Sequence, residues 1–223
     1  MILPVVHFSV HASVDSMKLI RVAEVGVATA VTEAARVLRD GGIVLYPTDT
    51  LYGLGVDARN VSAIEKLRHL KGREKKKPMS VIVADSAMLD TYTVLSTHAK
   101  RLAAAHLPGA LTLVVPAKAL LPAALLLHGA VGMRIPNDPF ALTLARVFGA
   151  PFTATSANPS GHPPLSAPMD IIASFGYASH AIDLVIDDGP RAGGVPSTVV
   201  RCTDDIPVIL REGVLSREEL GIK

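Results

Sequence analysis

Apolar residues recur at two periods along this chain, and the two alternate from one end to the other. Helical spacing runs through residues 29–39 and stops at Asp40-Gly41-Gly42. It returns over 62–70, where Ile64, Leu67 and Leu70 form one stripe and Ser62 with Glu65 makes a capping box. Further helices are predicted over 96–107, ahead of Pro108-Gly109, over 139–148, ahead of Gly149, and from a Ser166 cap to about Phe175. Short apolar runs suited to strands lie at 43–46, 79–84, 111–115, 131–135, 152–155, 184–186, 198–201 and 208–210. Met17 opens Met-Lys-Leu-Ile-Arg-Val, another strand start, and Ser216 with Glu219 caps a last short helix. The two strands around Asp204-Asp205 are close enough for a hairpin, so the sheet is expected to be mixed. Short alternating helices and strands predict an α/β domain.

The 223 residues suffice for one large domain or two small ones, and no linker or repeat divides them. Residues 17–223 are therefore read as one domain, with 1–16 as an extension that packs loosely. Residues 1–16 are apolar but lack the basic start of a secretory signal. Hydrophobic residues make up 49% and mean hydropathy is +0.39, which excludes a disordered chain. Aromatics are only 4%, so the core must be Val, Leu, Ile and Ala, the usage of buried strands between helices. Cys202 is the only cysteine, which excludes an intrachain disulfide and a multi-cysteine metal site and fits a cytoplasmic protein. Of the eight histidines only His7 and His11 have i, i+4 spacing, so histidine metal ligation is not expected.

Net charge is +2, too small for a general nucleic-acid coat, so any polyanion preference must come from clustering. One cluster stands out. Lys71-Gly72-Arg73-Glu74-Lys75-Lys76-Lys77 carries five cations and one carboxylate between a helix and a strand. Cations at a helix C-terminus offset its dipole, which accounts for Lys71 but not for five. Two readings stay open here: a solvated loop, or fixed cations that converge on phosphate oxygens.

Three polar loops follow apolar strands: 47–55, 156–161 and 189–198. Their Ser, Thr, Asn and Gly residues suit close approach of a ligand to backbone N–H groups and hydroxyls, and equally suit plain turns. The third lacks the lysine that a Walker loop places before its Ser-Thr pair, and Ser156 sits in no Gly-x-Ser-x-Gly elbow. Asp49, Asp57, Asp187 and Asp188 could support a divalent metal but fit turn and cap roles better. Arg134 lies inside the apolar run Val131-Gly132-Met133-Arg134-Ile135. A guanidinium there needs an anion, either an internal carboxylate or a ligand's. Arg211 poses the same question.

Taken in order, GGIVLYPTDTLYGLG, KGR after a helix, PGALTLVV, VGMRIP, TSANPSG, PSTVV and ILREG resemble the YrdC-like family of threonylcarbamoyl-AMP synthases, over about residues 28–213. The family's Lys-x-Arg and Ser-x-Asn signature corresponds here to Lys71, Arg73, Ser156 and Asn158. The resemblance implies a twisted mixed parallel/antiparallel sheet flanked by helices, with a basic concave cavity. It implies an enzyme that joins L-threonine, bicarbonate and ATP, with Mg²⁺, into threonylcarbamoyl-AMP and pyrophosphate for a downstream tRNA threonylcarbamoyl transferase. Lys71, Arg73, Ser156, Asn158 and Arg211 would then serve ATP, with Lys71 and Arg73 catalytic, and Pro164 would join through its backbone. Thr50, Arg134 and Ser197 would serve threonine, with Arg134 on its carboxylate.

The chain departs from the family at two points. Lys77 stands where many members have Asn, and could serve a phosphate as a point charge. Ile82 stands where some have a threonine-contacting His. The chain stops soon after Arg211 and so resembles the family's short form, which is expected to do without the long form's additional C-terminal domain. A site of Lys, Arg, Ser and Asn suits positioning and electrostatic catalysis of attack on an α-phosphate. The competing reading is a non-catalytic protein of the same fold that binds double-stranded RNA or tRNA. A carbamoyl-transfer domain like that of hydrogenase maturation proteins is disfavoured by the single cysteine.

Overall fold

A computed structural model describes residues 17–74, 77–191 and 194–222. The expected loose extension, 1–16, lies outside the described residues, as do Lys75 and Lys76 of the basic loop.

The strands are β1 (Lys18–Arg21), β2 (Val44–Tyr46), β3 (Gly53–Gly55), β4 (Ser80–Ile82), β5 (Leu111–Pro116), β6 (Ala130–Arg134), β7 (Phe152–Ser156), β8 (Leu184–Asp187), β9 (Thr198–Arg201) and β10 (Val208–Arg211). They form a single sheet in the order β1-β8-β2-β3-β7-β4-β6-β5-β9-β10. The sheet is mixed: β1–β8, β2–β8, β4–β6 and β5–β9 run parallel, and the remaining neighbours antiparallel. The helices are α1 (Val22–Val25), α2 (Val27–Arg39), α3 (Val61–Leu70), α4 (Ser86–Tyr92), α5 (Thr97–His106), α6 (Pro139–Phe148) and α7 (Pro168–Phe175).

Side-chain alternation sorts the strands onto two faces. Leu45, Val81, Leu113, Met133 and Val200 join Ile64, Leu67 and Leu102 of α3 and α5 in one core. Val44, Tyr46, Ile82 and Phe152 point the other way, onto Val31 and Leu38 of α2 and Phe140 and Leu144 of α6. That second face is therefore covered by α2 and α6 beside β2 and β8. Over β4, β6, β5 and β9 its residues line a cavity instead: Ile82, Gly132, Arg134, Thr112, Val114, Val199 and Arg201.

Several local expectations need correction. Asn60, not Ser62, caps α3; its side chain accepts from the Ala63 N–H at 3.1 Å, and Glu65 instead lies 3.7 Å from Arg68. Ser166 does not cap α7, whose Ala167 N-cap has no side-chain bond and whose first turn opens on Pro168. The Ser216–Glu219 box forms, with Ser216 N–H donating to Glu219 at 2.7 Å, but it closes a turn rather than a helix. Strand β3, within a stretch read as loop, pairs with β2 and β7. Its glycines admit the Tyr46 ring: a Cβ at Gly55 would stand 2.8 Å from the Tyr46 ring and one at Gly53 2.9 Å.

Candidate active site

The cavity has a volume of about 780 Å³ and gathers the ends of separate strands with the loops that follow them. Such a volume suits a small-molecule substrate site. Thr50, Arg73, Arg134, Ser156, Ser197 and Arg211, all singled out in the sequence, line it.

Arg134, at the end of β6 and 7% exposed, is fixed from three directions. Its Nε–H donates to the Gly109 carbonyl at 3.1 Å, Nη1 to Thr50 Oγ1 at 2.9 Å and Nη2 to Asp49 Oδ1 at 2.6 Å. A guanidinium has five N–H groups. Among the described residues, one on each terminal nitrogen is left over, the pair that a carboxylate fork needs. Both readings of Arg134 therefore meet in one residue: it has an internal carboxylate and keeps a free fork. Thr50 is equally constrained. Thr48 Oγ1 donates to the Leu51 carbonyl and accepts from the N–H groups of Thr50 and Leu51. Its one proton being spent, Thr50 Oγ1 donates across the 3.2 Å between the hydroxyls and accepts from Arg134.

Arg73 and Arg211 differ from Arg134: neither has a carboxylate partner among the described residues. Arg73 donates to the Pro78 carbonyl at 2.6 Å and to Thr155 Oγ1 at 3.4 Å. Burial, and then the Arg68 charge, lowers its pKa. Arg211 donates to the Ser197 carbonyl at 2.8 Å and to Ser197 Oγ at 3.3 Å. Its pKa is lowered by desolvation in the cavity wall and then by Arg134. Arg73 and Arg211 are thus held near the like charges of Arg68 and Arg134 with no carboxylate of their own among the described residues, a cost that an anionic ligand relieves. Ser197 Oγ also shares a proton with Thr112 Oγ1 at 2.8 Å.

Lys71 and Asn158 lie behind the cavity wall. Lys71 is 2% exposed, and its ammonium donates to the carbonyls of Ser156 and Asn158, the latter at 2.6 Å. Burial, and then Arg73, pushes its pKa down to about 7. Asn158 Nδ2 closes the same loop onto the His162 carbonyl at 2.6 Å, while its buried Oδ1 has no partner among the described residues. Lys71 and Asn158 shape the loop that presents Ser156. Lys77 and Pro164 are exposed and do not line the cavity, and Lys77 Nζ lies 3.8 Å from Glu74.

The aspartates considered for a metal are spent otherwise. Asp57 binds Arg59 at 2.9 Å, Asp187 accepts from the Gly189 N–H at 3.0 Å, Asp188 binds Arg191 at 2.8 Å and Asp49 binds Arg134. No group of three or more His, Cys, Asp or Glu placed to hold a metal ion occurs among the described residues.

Sequence reasoning passed over Arg68. It is 4% exposed and donates to the carbonyls of Glu74, Lys77 and Ala124, which anchors the basic loop from below. Its one sequence signal is its place beside Leu67, within the buried stripe of α3.

The family profile described as "Telomere recombination", which spans Sua5, YciO and YrdC, matches residues 36–213. A threonylcarbamoyl-AMP synthase of Bacillus subtilis is 39% identical over 198 residues, covering 85% of this chain and 55% of that protein. The crystal structure of Pyrococcus abyssi Sua5 complexed with L-threonine superposes with a TM-score of 0.81 at 32% identity, over 92% of this chain and 59% of that one. The crystal structure of Escherichia coli YciO gives 0.80 at 28% identity, over 92% and 99%. The chain thus spans little more than half the length of the Bacillus and Pyrococcus relatives. In sequence and in fold it belongs to the Sua5/YciO/YrdC family.

Proposed function

We propose that the protein is an L-threonylcarbamoyladenylate synthase. Threonine's amine adds to bicarbonate with loss of water to give a carbamate. A carbamate oxygen then attacks the α-phosphorus of ATP in line, and pyrophosphate leaves, so that threonylcarbamoyl-AMP forms. The product serves a downstream tRNA threonylcarbamoyl transferase in the cytoplasm. The observation that carries this reading is one cavity in which two guanidinium groups without carboxylates, Arg73 and Arg211, share a wall with the free fork of Arg134.

In this reading Arg134 grips the threonine carboxylate, and Thr50 and Ser197 border it. Arg73, Ser156 and Arg211 face the nucleotide, where the cations spread the charge that develops on the phosphates. Lys71 and Asn158 act through the loop that carries Ser156. Lys77 and Pro164 could meet the nucleotide only outside the cavity lining. Mg²⁺ arrives with the triphosphate as part of the substrate. Ile82, wholly buried and in register with Arg134, gives the amino-acid end an apolar wall.

Pyrophosphate release measured with threonine or bicarbonate omitted in turn tests the proposal. The expected result is release only with all three substrates present. Release from ATP alone, or none with the full set, would overturn it.

A further inference from the structure

Among the described residues, Asp49 is the one carboxylate paired with Arg73, Arg134 or Arg211. Its side chain is 15% exposed, and its Oδ1 takes one N–H of Arg134 Nη2 at 2.6 Å. It does not line the cavity, whereas Arg134 and its flanking residues Thr48 and Thr50 do. Asp49 therefore meets the guanidinium from behind.

The backbone that presents Asp49 is fixed. Thr48 Oγ1 bonds to the N–H groups of Thr50 and Leu51 and to the Leu51 carbonyl, so the turn around Asp49 is pinned on both sides. The Nε end of the guanidinium is pinned as well. Gly109, whose carbonyl accepts from Nε, donates its own N–H to Ile135 at 2.9 Å. A Cβ at Gly109 would lie 2.6 Å from the His106 carbonyl, so that approach requires glycine.

We infer that Asp49 is a positioning residue for amino-acid recognition: with Thr50 and Gly109 it locks Arg134 so that one N–H of each terminal nitrogen faces the cavity as a carboxylate fork. This rests on the synthase reading and adds to it. Asp49 touches no substrate and works only through Arg134. Its role is directional, because a neutral acceptor at the same place would hold the same N–H. Its negative charge by itself would weaken the grip on a carboxylate.

The test is calorimetric titration of the full chain with L-threonine and, separately, with MgATP, for the wild type, Asp49→Ala and Asp49→Asn. Losing one charge-assisted bond predicts threonine binding weakened about tenfold or more in Asp49→Ala, with MgATP affinity within about twofold of wild type. Asp49→Asn, which keeps an acceptor oxygen, is expected to recover threonine affinity to within about threefold. Equal threonine affinity in wild type and Asp49→Ala would overturn the inference. So would loss of both ligands together, the mark of general structural damage, or equal loss in the Ala and Asn variants, the mark of a role for charge. A wild type that binds MgATP but no threonine would overturn the proposed function itself, and with it this role. A wild type that binds threonine and an Asp49→Ala variant that binds it equally well would remove only the role of Asp49.

Discussion

The ammonium of Lys71 and the backbone carbonyl of Asn158 lie 2.6 Å apart, although 87 residues separate them in the chain. With the second bond, to Ser156, this ties the end of α3 to the loop after β7. A lysine in a family signature thus acts as a brace, and its two carbonyl acceptors match the two N–H groups that a neutral amine retains.

That match gives a pH dependence. The folded-state pKa of about 7 lies below the ordinary 10.5, with burial as the main cause and Arg73 second. Between those values the unfolded chain holds a proton that the folded protein has released. The Lys71 contribution to stability therefore rises with pH across that window. Denaturant unfolding of wild type and Lys71→Met, at matched pH from 7 to 10, should diverge in favour of wild type. Parallel pH profiles would count against a neutral braced amine.

Arg73 lines the cavity without a carboxylate partner among the described residues. Replacing it with Ala should lower pyrophosphate release by about 100-fold or more, the scale of losing one preorganised transition-state donor. The fold should persist, as judged by an unchanged circular dichroism spectrum. Normal turnover in Arg73→Ala would end the role assigned to it.

Gly55 is constrained by shape rather than chemistry. An added Cβ would meet the Tyr46 ring at 2.8 Å and the Thr153 carbonyl at 3.2 Å. Tyr46 cannot retreat, because it is fully buried and donates to the Thr153 carbonyl at 3.0 Å. Gly55→Ala should cost about 1–3 kcal/mol by overpacking, read as a lower urea midpoint. An unchanged midpoint would mean that the ring has room.

Cys202 is 1% exposed, and burial pushes its thiol up to about 11. Since the thiolate is the reactive form, labelling by a disulfide reagent at pH 8 should be slow in the native protein and fast in denaturant. Equal rates in the two would show that β9 opens readily at its C-terminal end.

Much of this was legible in the chain. Helix α6 and strand β9 fall on their expected bounds because Gly149 and the hairpin at Asp204-Asp205 end them sharply. Of the site residues named from the sequence, Thr50, Arg73, Arg134, Ser156, Ser197 and Arg211 line the cavity, whereas Lys71, Lys77, Asn158 and Pro164 do not. Three kinds of feature were not legible. Strand β3 reads as a loop because its glycines, which sheets usually avoid, are there for an aromatic ring on the next strand. Helix α3 starts one residue before the expected Ser62 cap, and the folded backbone gives that role to Asn60. The partner of Arg134 lies 85 residues away, and no local pattern distinguishes Asp49 from other turn aspartates. The sequence shows which cations exist; the fold decides which are already neutralised.

Arg211 stands close enough to Arg134 for the two charges to disfavour each other, and Arg73 stands in the same relation to Arg68. A polyanion bound between these pairs would turn repulsion into attraction on both sides at once. Under the proposed function, the nucleotide would then act as a folding ligand as well as a reactant, raising the melting temperature with the logarithm of its concentration.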